Sequence, residues 1–479
     1  MKRLTAISLT SISLMLPSLI YADLIGEEPR LDPADRISQD EISQGQLHLD
    51  EIREAGLIIF STPFNRYDGF GDGPHDFSEP DNHSPTGGNR PTLQGNGTFL
   101  RVNGLDAQNC LECHTVISNR TTPPRLGIGG GGGFGTSVLF RPANIDVIDE
   151  NFDGIAEFDG RLINPVFLFG AGGIELVGRE MTHELQNLKQ HALNNPGTIV
   201  ELETKSVSFG SIIADEYGNL DTTNVEGVEH DLVVRPFGRK GDNASVREFD
   251  VSALAFHMGM QASEAFGGAT ADADNDGVVN EITVGDLSAL SIFITTLEPP
   301  FDVDDREHRD GRRLFSDIGC ADCHRPTMVT QRRTLPYKLT GSPETPFEDI
   351  FYEVDLTKQP TNFRQTRNGG IEVAMFSDLK RHDMGEGLAE NAFFQTDQQN
   401  REFITARLWG VADTAPYLHD GRATTLAEAI FLHDSPGSEA SNAAQNFKYL
   451  SENDQNKILA FLMSLRMPEN PADDLIDPR

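Results

Sequence analysis

Positions 318–326 read "IGCADCHRP", with Cys320 and Cys323 three apart and His324 directly after them. A second run, "NCLECHT" at 109–115, repeats the pattern as Cys110, Cys113 and His114, and the chain has only four cysteines. One explanation must therefore serve both clusters. Two disulfides would suit an exported chain. A C-x-x-C pair closes on itself only as a redox-active disulfide, however, and neither copy lies in a βαβ pattern of the thioredoxin kind. A zinc ion on four thiolates would leave the histidine beside each pair unexplained. C-x-x-C-H is the attachment pattern of c-type haem. Two thiols on one turn add to the two vinyl groups of a porphyrin, and the adjacent imidazole comes under the iron as proximal ligand. The expectation is two covalently bound c-type haems, one on Cys110, Cys113 and His114, the other on Cys320, Cys323 and His324.

The rest of the chain suits an exported electron-handling protein. With 479 residues it is too long for one ordinary core, and two or three domains are expected. Lys2 and Arg3 precede the apolar run "LTAISLTSISLMLPSLIYA", the build of a secretory signal peptide over 1–22. Ile20 is not small, which leaves the cleavage site open and an uncleaved anchor as the rival reading. No later stretch is apolar for long enough to span a bilayer, so the mature chain is expected in the periplasm without a membrane span. The formal charge of −35 would repel nucleic acid. An acidic surface serves solubility, or steers a basic protein partner.

The clusters sit in a duplicated pattern. "DLSALSIFITTLEPP" (286–300) and "NKILAFLMSLRMPEN" (456–470) align without gaps: Leu290, Phe293, Ile294 and Leu297 fall on Ile458, Phe461, Leu462 and Leu465. Both are apolar at helical spacing and end in proline. Upstream of each lies a Gly-Arg segment, "PFGRKGDNASVREF" (236–249) and "YLHDGRATTLAEAI" (417–430). The order of cluster, Gly-Arg segment and terminal helix thus occurs twice. The fold class expected is mostly α, with two tandem cytochrome c-like haem domains, long loops and an irregular N-terminal arm. The arm spans 23–104, the first domain 105–300 and the second 301–479. A helical pattern at 38–55 lies within the arm. "GIGGGGGFG" (127–135) has no strand–helix setting and reads as a loop.

These segments resemble the di-haem cytochrome c peroxidase superfamily, most closely its di-haem oxidoreductase or "thiol oxidoreductase-like" branch. The resemblance is carried by "GRRLFSDIGCADCHRP" (311–326), "SDLKRHDMGEGLAE" (377–390), "ARLWGVADTAPYLHDGRATTLAEAIFLH" (406–433), "NPVFLFGAGGIELV" (164–177) and "FGRKGDNASVREFDVSALAFHMG" (237–259). It implies two facing haem domains, the C-terminal haem transferring electrons and the N-terminal haem reactive. The label "thiol oxidoreductase" finds no spare cysteine here. The implied partner is a small soluble redox protein, a cytochrome or cupredoxin, with peroxide or another small molecule as substrate.

For the second haem, Met384 in "HDMGEG" matches the family's stretch and is the expected sixth ligand, since a thioether raises the potential of a relay. Met375, Met328 and His382 are its rivals. At the first haem the superfamily carries an acid in "EMG", whereas this chain reads "FHMG", with His257 and Met258. His257 is the catalytic candidate, as general acid/base. A sixth ligand and a buried structural histidine are the other two readings. His183 and His191 are remoter candidates, and His419 and His433 are expected to be structural. Trp409 is a relay or simply buried. Arg239, Asp420 and Arg422 suit propionate contact or a hinge. "DADNDGVVNEIT" (272–283) places Asp272, Asp274, Asp276 and Asn280 in EF-hand rhythm, but Thr283 stands where a bidentate Glu belongs. Glu281 or Asp286 would have to close a Ca2+ shell. "DENFDGIAEFDG" (149–160) is a weaker version of the same pattern.

Overall fold

The computed structural model describes residues 28–71, 107–114, 164–273, 276–300, 308–390 and 396–468, with short strand pairs joining 92–93 to 98–99 and 147–148 to 157–158. The signal segment, the glycine run at 127–135, the acidic pattern at 149–160 and Asp274 lie outside the described residues. More of the chain is helix than strand, and the sheets are small and antiparallel. The helices are α1 (Gln39–Ser43), α2 (Leu49–Ser61), α3 (Ala171–Asn194), α4 (Val246–Ala253), α5 (Val284–Thr295), α6 (Arg309–Asp317), α7 (Asp397–Arg401), α8 (Leu426–Leu432), α9 (Ser441–Tyr449) and α10 (Glu452–Leu462). None of the described helices is long and apolar enough to cross a membrane.

The two helices aligned in the sequence each anchor a core. Leu290, Phe293, Ile294 and Leu297, in and just after α5, are buried in the larger one. Ile458, Phe461 and Leu462 of α10 are buried in the smaller, with Leu465 packed against it. Each anchor helix receives a partner at close range through a glycine. A methyl on Gly56 of α2 would strike the Ala289 carbonyl oxygen and Phe293 Cβ; one on Gly311 of α6 would strike the Lys457 carbonyl oxygen and Phe461 Cβ. Four residues past each glycine a phenylalanine meets its counterpart edge to face. Phe60 lies 5.5 Å from Phe293, and Phe315 lies 5.6 Å from Phe461. α2 therefore holds in the first half the place that α6 holds in the second, and the helical pattern expected inside an irregular arm is built into the larger core. Gly56→Ala is expected to cost about 1–3 kcal/mol or more through overpacking, read as a lowered urea midpoint.

The larger core also draws on segments from beyond residue 300, among them Met328, Leu335, Tyr337, Phe363, Ile371 and Trp409. Polar ties join the same regions. Glu180, buried on α3, accepts the amide N–H groups of Gln331 (2.9 Å) and Arg332 (2.8 Å) and the Lys205 ammonium (2.7 Å). The hairpin Ile199–Thr204 and Val207–Ala214 packs on α3, with side chains of the first strand alternately exposed and buried. That period of two is strand physics, in a stretch where only helices and loops were expected.

Candidate functional site

Both C-x-x-C-H segments wind into a single tight turn, Cys110–Glu112 and Cys320–Asp322. In each the histidine amide donates to the carbonyl of the first cysteine, His114 to Cys110 at 2.8 Å and His324 to Cys320 at 3.0 Å. None of the four cysteines is in a disulfide, and among the described residues no group of metal-ligating side chains joins the two pairs. Burial raises the Cys320 thiol to about 12 and also raises Cys110, with Asp250 next in effect at the latter. Burial likewise holds both imidazoles near 4, so they are neutral and able to bind a metal.

The donors fit a porphyrin iron. His324 Nδ1 stands 3.1 Å from the Phe376 carbonyl, and the Ala406 backbone also bonds to the ring; with Nδ1 so held, Nε2 is the nitrogen that would bind a metal. His114 Nδ1 is buried without a hydrogen-bond partner. Such an orphaned atom is costly unless its ring gains something else. The turns place two thiols and one imidazole together in both copies, as covalent attachment requires.

His257 lies near enough to His114 for its charge to be, after burial, the next cause of the low His114 pKa. It lies on a π-turn, Leu254–Met258, continuing α4, a distortion frequent at functional sites. Gly259 ends the turn at φ 71°, where a Cβ would meet the backbone of Gly71. Asp250, one turn before His257's stretch, is buried, accepts from Ser291 Oγ at 2.7 Å, and burial pushes its carboxyl well above the usual carboxylate range. It reaches Cys110 electrostatically. No motif had singled it out.

Met384 is half-buried just past the strand Arg381–Asp383, with its amide donating to the Arg401 carbonyl at 2.9 Å. Met375 and Met328 are buried in the larger core. His382 is clamped by two carboxylates, Nδ1 at 2.7 Å from Glu439 and Nε2 at 2.9 Å from Asp378, and its ring, the Asp378 carboxylate and Cys323 Sγ form one cluster. Burial pulls its pKa down, but the bonds to Asp378, Cys323 and Glu439 raise it to about 12. A raised histidine stabilises fully below its unfolded value of 6.5 and loses that contribution as pH climbs toward about 12. His382→Gln is therefore expected to lower the urea midpoint more at about pH 6 than at about pH 9.

His183 and His191 are exposed on α3. His419 stacks on Phe403 at 4.4 Å, and burial holds it near 4. Asp420 pairs with Arg422, and Arg239 with Glu390. Trp409, 5 % exposed, wedges against Gly170 and lies 6.4 Å from Phe363. In the acidic loop, Asp272 accepts from the Asp276 and Gly277 amides and Asp276 from Val278. Asn280 accepts from Ser263, Glu281 from the Gln261 amide, and Asp286 pairs with Arg36. No calcium site is evident among the described residues. His433, expected to be structural, lies close enough to His324 for its charge to act there, second only to burial.

Residues 364–465 match the family described as "Di-haem oxidoreductase, putative peroxidase". The chain is similar to cytochrome-c peroxidase IdrP2 of Pseudomonas sp. strain SCT, 28% identical over 40% of this chain and 52% of that protein. It is similar also to cytochrome-c peroxidase IdrP1 of Denitromonas iodatirespirans, 29% identical over 36% and 43% respectively. The chain thus spans about half the length, or less, of these curated relatives. Hydrazine synthase from Kuenenia stuttgartiensis covers 96% of the chain at 16% identity with a TM-score of 0.32, too low to carry an argument. The protein is distantly related to the di-haem peroxidases and oxidoreductases.

Proposed function

We propose that the protein is an exported di-haem oxidoreductase of the peroxidase-like kind. The observation that carries the reading is the C-x-x-C-H turn made twice with the same histidine-to-cysteine hydrogen bond and a buried neutral imidazole in each. Cys110 and Cys113 anchor one haem with His114 as proximal ligand; Cys320 and Cys323 anchor the other with His324. When bound, these haems supply one-electron chemistry and a site for peroxide.

The protein's own part is positional. α5 and α10, each with its glycine-docked partner helix, hold two cytochrome c-like units at fixed places. Electrons from a small redox protein in the periplasm enter at the C-terminal unit, and the acidic surface favours a basic donor. At the N-terminal unit His257 takes a proton from the near oxygen of hydrogen peroxide and returns one to the far oxygen. Two electrons and two protons convert one peroxide to two waters. Met384 would serve as a further ligand to the second haem. No calcium site is evident among the described residues of 272–283, and no step depends on one.

The imidazole beside each proximal histidine also favours a carrier with both irons six-coordinate. Addition of peroxide to the half-reduced protein, followed by absorption and EPR, separates the two. Rapid loss of peroxide together with the ferrous band is expected of the enzyme. Two low-spin signals in both redox states, with peroxide untouched, would establish the carrier instead.

A further inference from the structure

The run "VFLFG" at 166–170 returns as "ARLWG" at 406–410, and the two fold alike. Each ends on a glycine in the left-handed region, φ 78° at Gly170 and 68° at Gly410. Each closes with the same amide-to-carbonyl bond, Ala171 to Leu168 at 3.2 Å and Val411 to Leu408 at 3.1 Å. The two turns also dock on each other. A Cβ on Gly170 would strike the Trp409 ring, and one on Gly410 the Phe167 ring. Together they form a seam between the two halves.

Arg407 lies on that seam, where the first copy has Phe167. Its Nη1 donates to the Pro236 carbonyl at 3.0 Å and its Nη2 to the Phe167 carbonyl at 3.5 Å. A guanidinium carries more N–H donors than these two bonds use, and no carboxylate among the described residues answers this one. The arginines expected to hold propionates are engaged elsewhere, Arg239 with Glu390 and Arg422 with Asp420. Burial, with no anion to oppose it, brings Arg407 down to about 10. A cation held from water by carbonyls alone is unfavourable unless an anion joins it.

The backbone beside Arg407 leads to one attachment site. The Leu408 amide donates to the Met375 carbonyl at 3.1 Å, and the next carbonyl, Phe376, lies 3.1 Å from His324 Nδ1. A bound porphyrin brings propionate carboxylates, which a guanidinium takes in a two-point fork.

We propose that Arg407 binds a propionate of a haem at this seam. The proposal rests on the reading that the C-x-x-C-H turns carry haems. A propionate paired with a cation opposes reduction of its iron less, so the haem that owns it has a higher potential than it would without Arg407.

The test uses the full chain matured with haem, its haem counted by pyridine haemochrome and mass. Resonance Raman reads the propionate-bending band, and redox titration reads the midpoint potentials. Arg407→Gln should keep both haems and their EPR signals, move the band and lower one potential. Arg407→Lys, which keeps the charge should glutamine disturb the seam, should move the band but hold the potential. The same substitutions in chains with serine at Cys110 and Cys113, or at Cys320 and Cys323, show which porphyrin supplies the carboxylate. A shift in either single-haem chain supports the assignment. A band and potentials unmoved by Arg407→Gln, with both haems bound, overturn it while the haem reading stands. Cysteine pairs without haem overturn both.

Discussion

Serine at both Cys110 and Cys113 leaves one haem per chain instead of two. The two attachment turns are built separately, each closed by its own histidine-to-cysteine bond, so loss of one pair does not disturb the other. Pyridine haemochrome and intact mass should fall by one porphyrin, and the low-spin signal of the centre at His324 should persist. Peroxide turnover should vanish with the missing porphyrin, because the proposed function assigns the retained one to electron relay. The reciprocal change at Cys320 and Cys323 should keep the first centre but starve it of electrons. Two porphyrins surviving either change, or either pair found bridged sulfur to sulfur, would remove the foundation of the functional reading.

His257→Ala should lower peroxide turnover by about 10²- to 10⁴-fold, the range for a positioned acid/base group, with haem content and the second centre's spectrum unchanged. The ring is presented beside His114 by a π-turn that Gly259 terminates, and a side chain at Gly259 would collide with Gly71. Turnover equal to that of the unaltered protein would make His257 a packing residue. Turnover that rises while the first iron becomes high-spin would make it a ligand that blocks the site. The pH–rate profile gives a further check, since a catalytic imidazole leaves a limb that alanine erases.

Much of this was legible in the residue string. Chemistry is encoded locally in C-x-x-C-H, and the turns form as that spacing demands. The alignment of 286–300 with 456–470 found the two anchor helices. An earlier repeat was present and unread: "GLIIFS" at 56–61 and "GRRLFS" at 311–316, whose glycine and phenylalanine make equivalent contacts in the two halves. Its first copy is cut off from its own attachment turn by a long Gly- and Asp-rich stretch, so adjacency gave no hint. The alternation in "IVELET" was likewise visible but passed over in a chain judged mostly helical. His433 and Asp250 could not be found by spacing at all. His433 comes near His324 only because α8 and the turn share a core, and Asp250 comes near Cys110 only because α4 folds back over it. Contacts between residues far apart in sequence leave no periodic trace.

The carboxylate of Glu180 gives the assembly a mechanical character. Sliding the 331–332 backbone off α3 would strand a buried anion and free two main-chain donors at once, a penalty no partial movement lessens. Sliding of the 331–332 segment along α3 is thereby resisted.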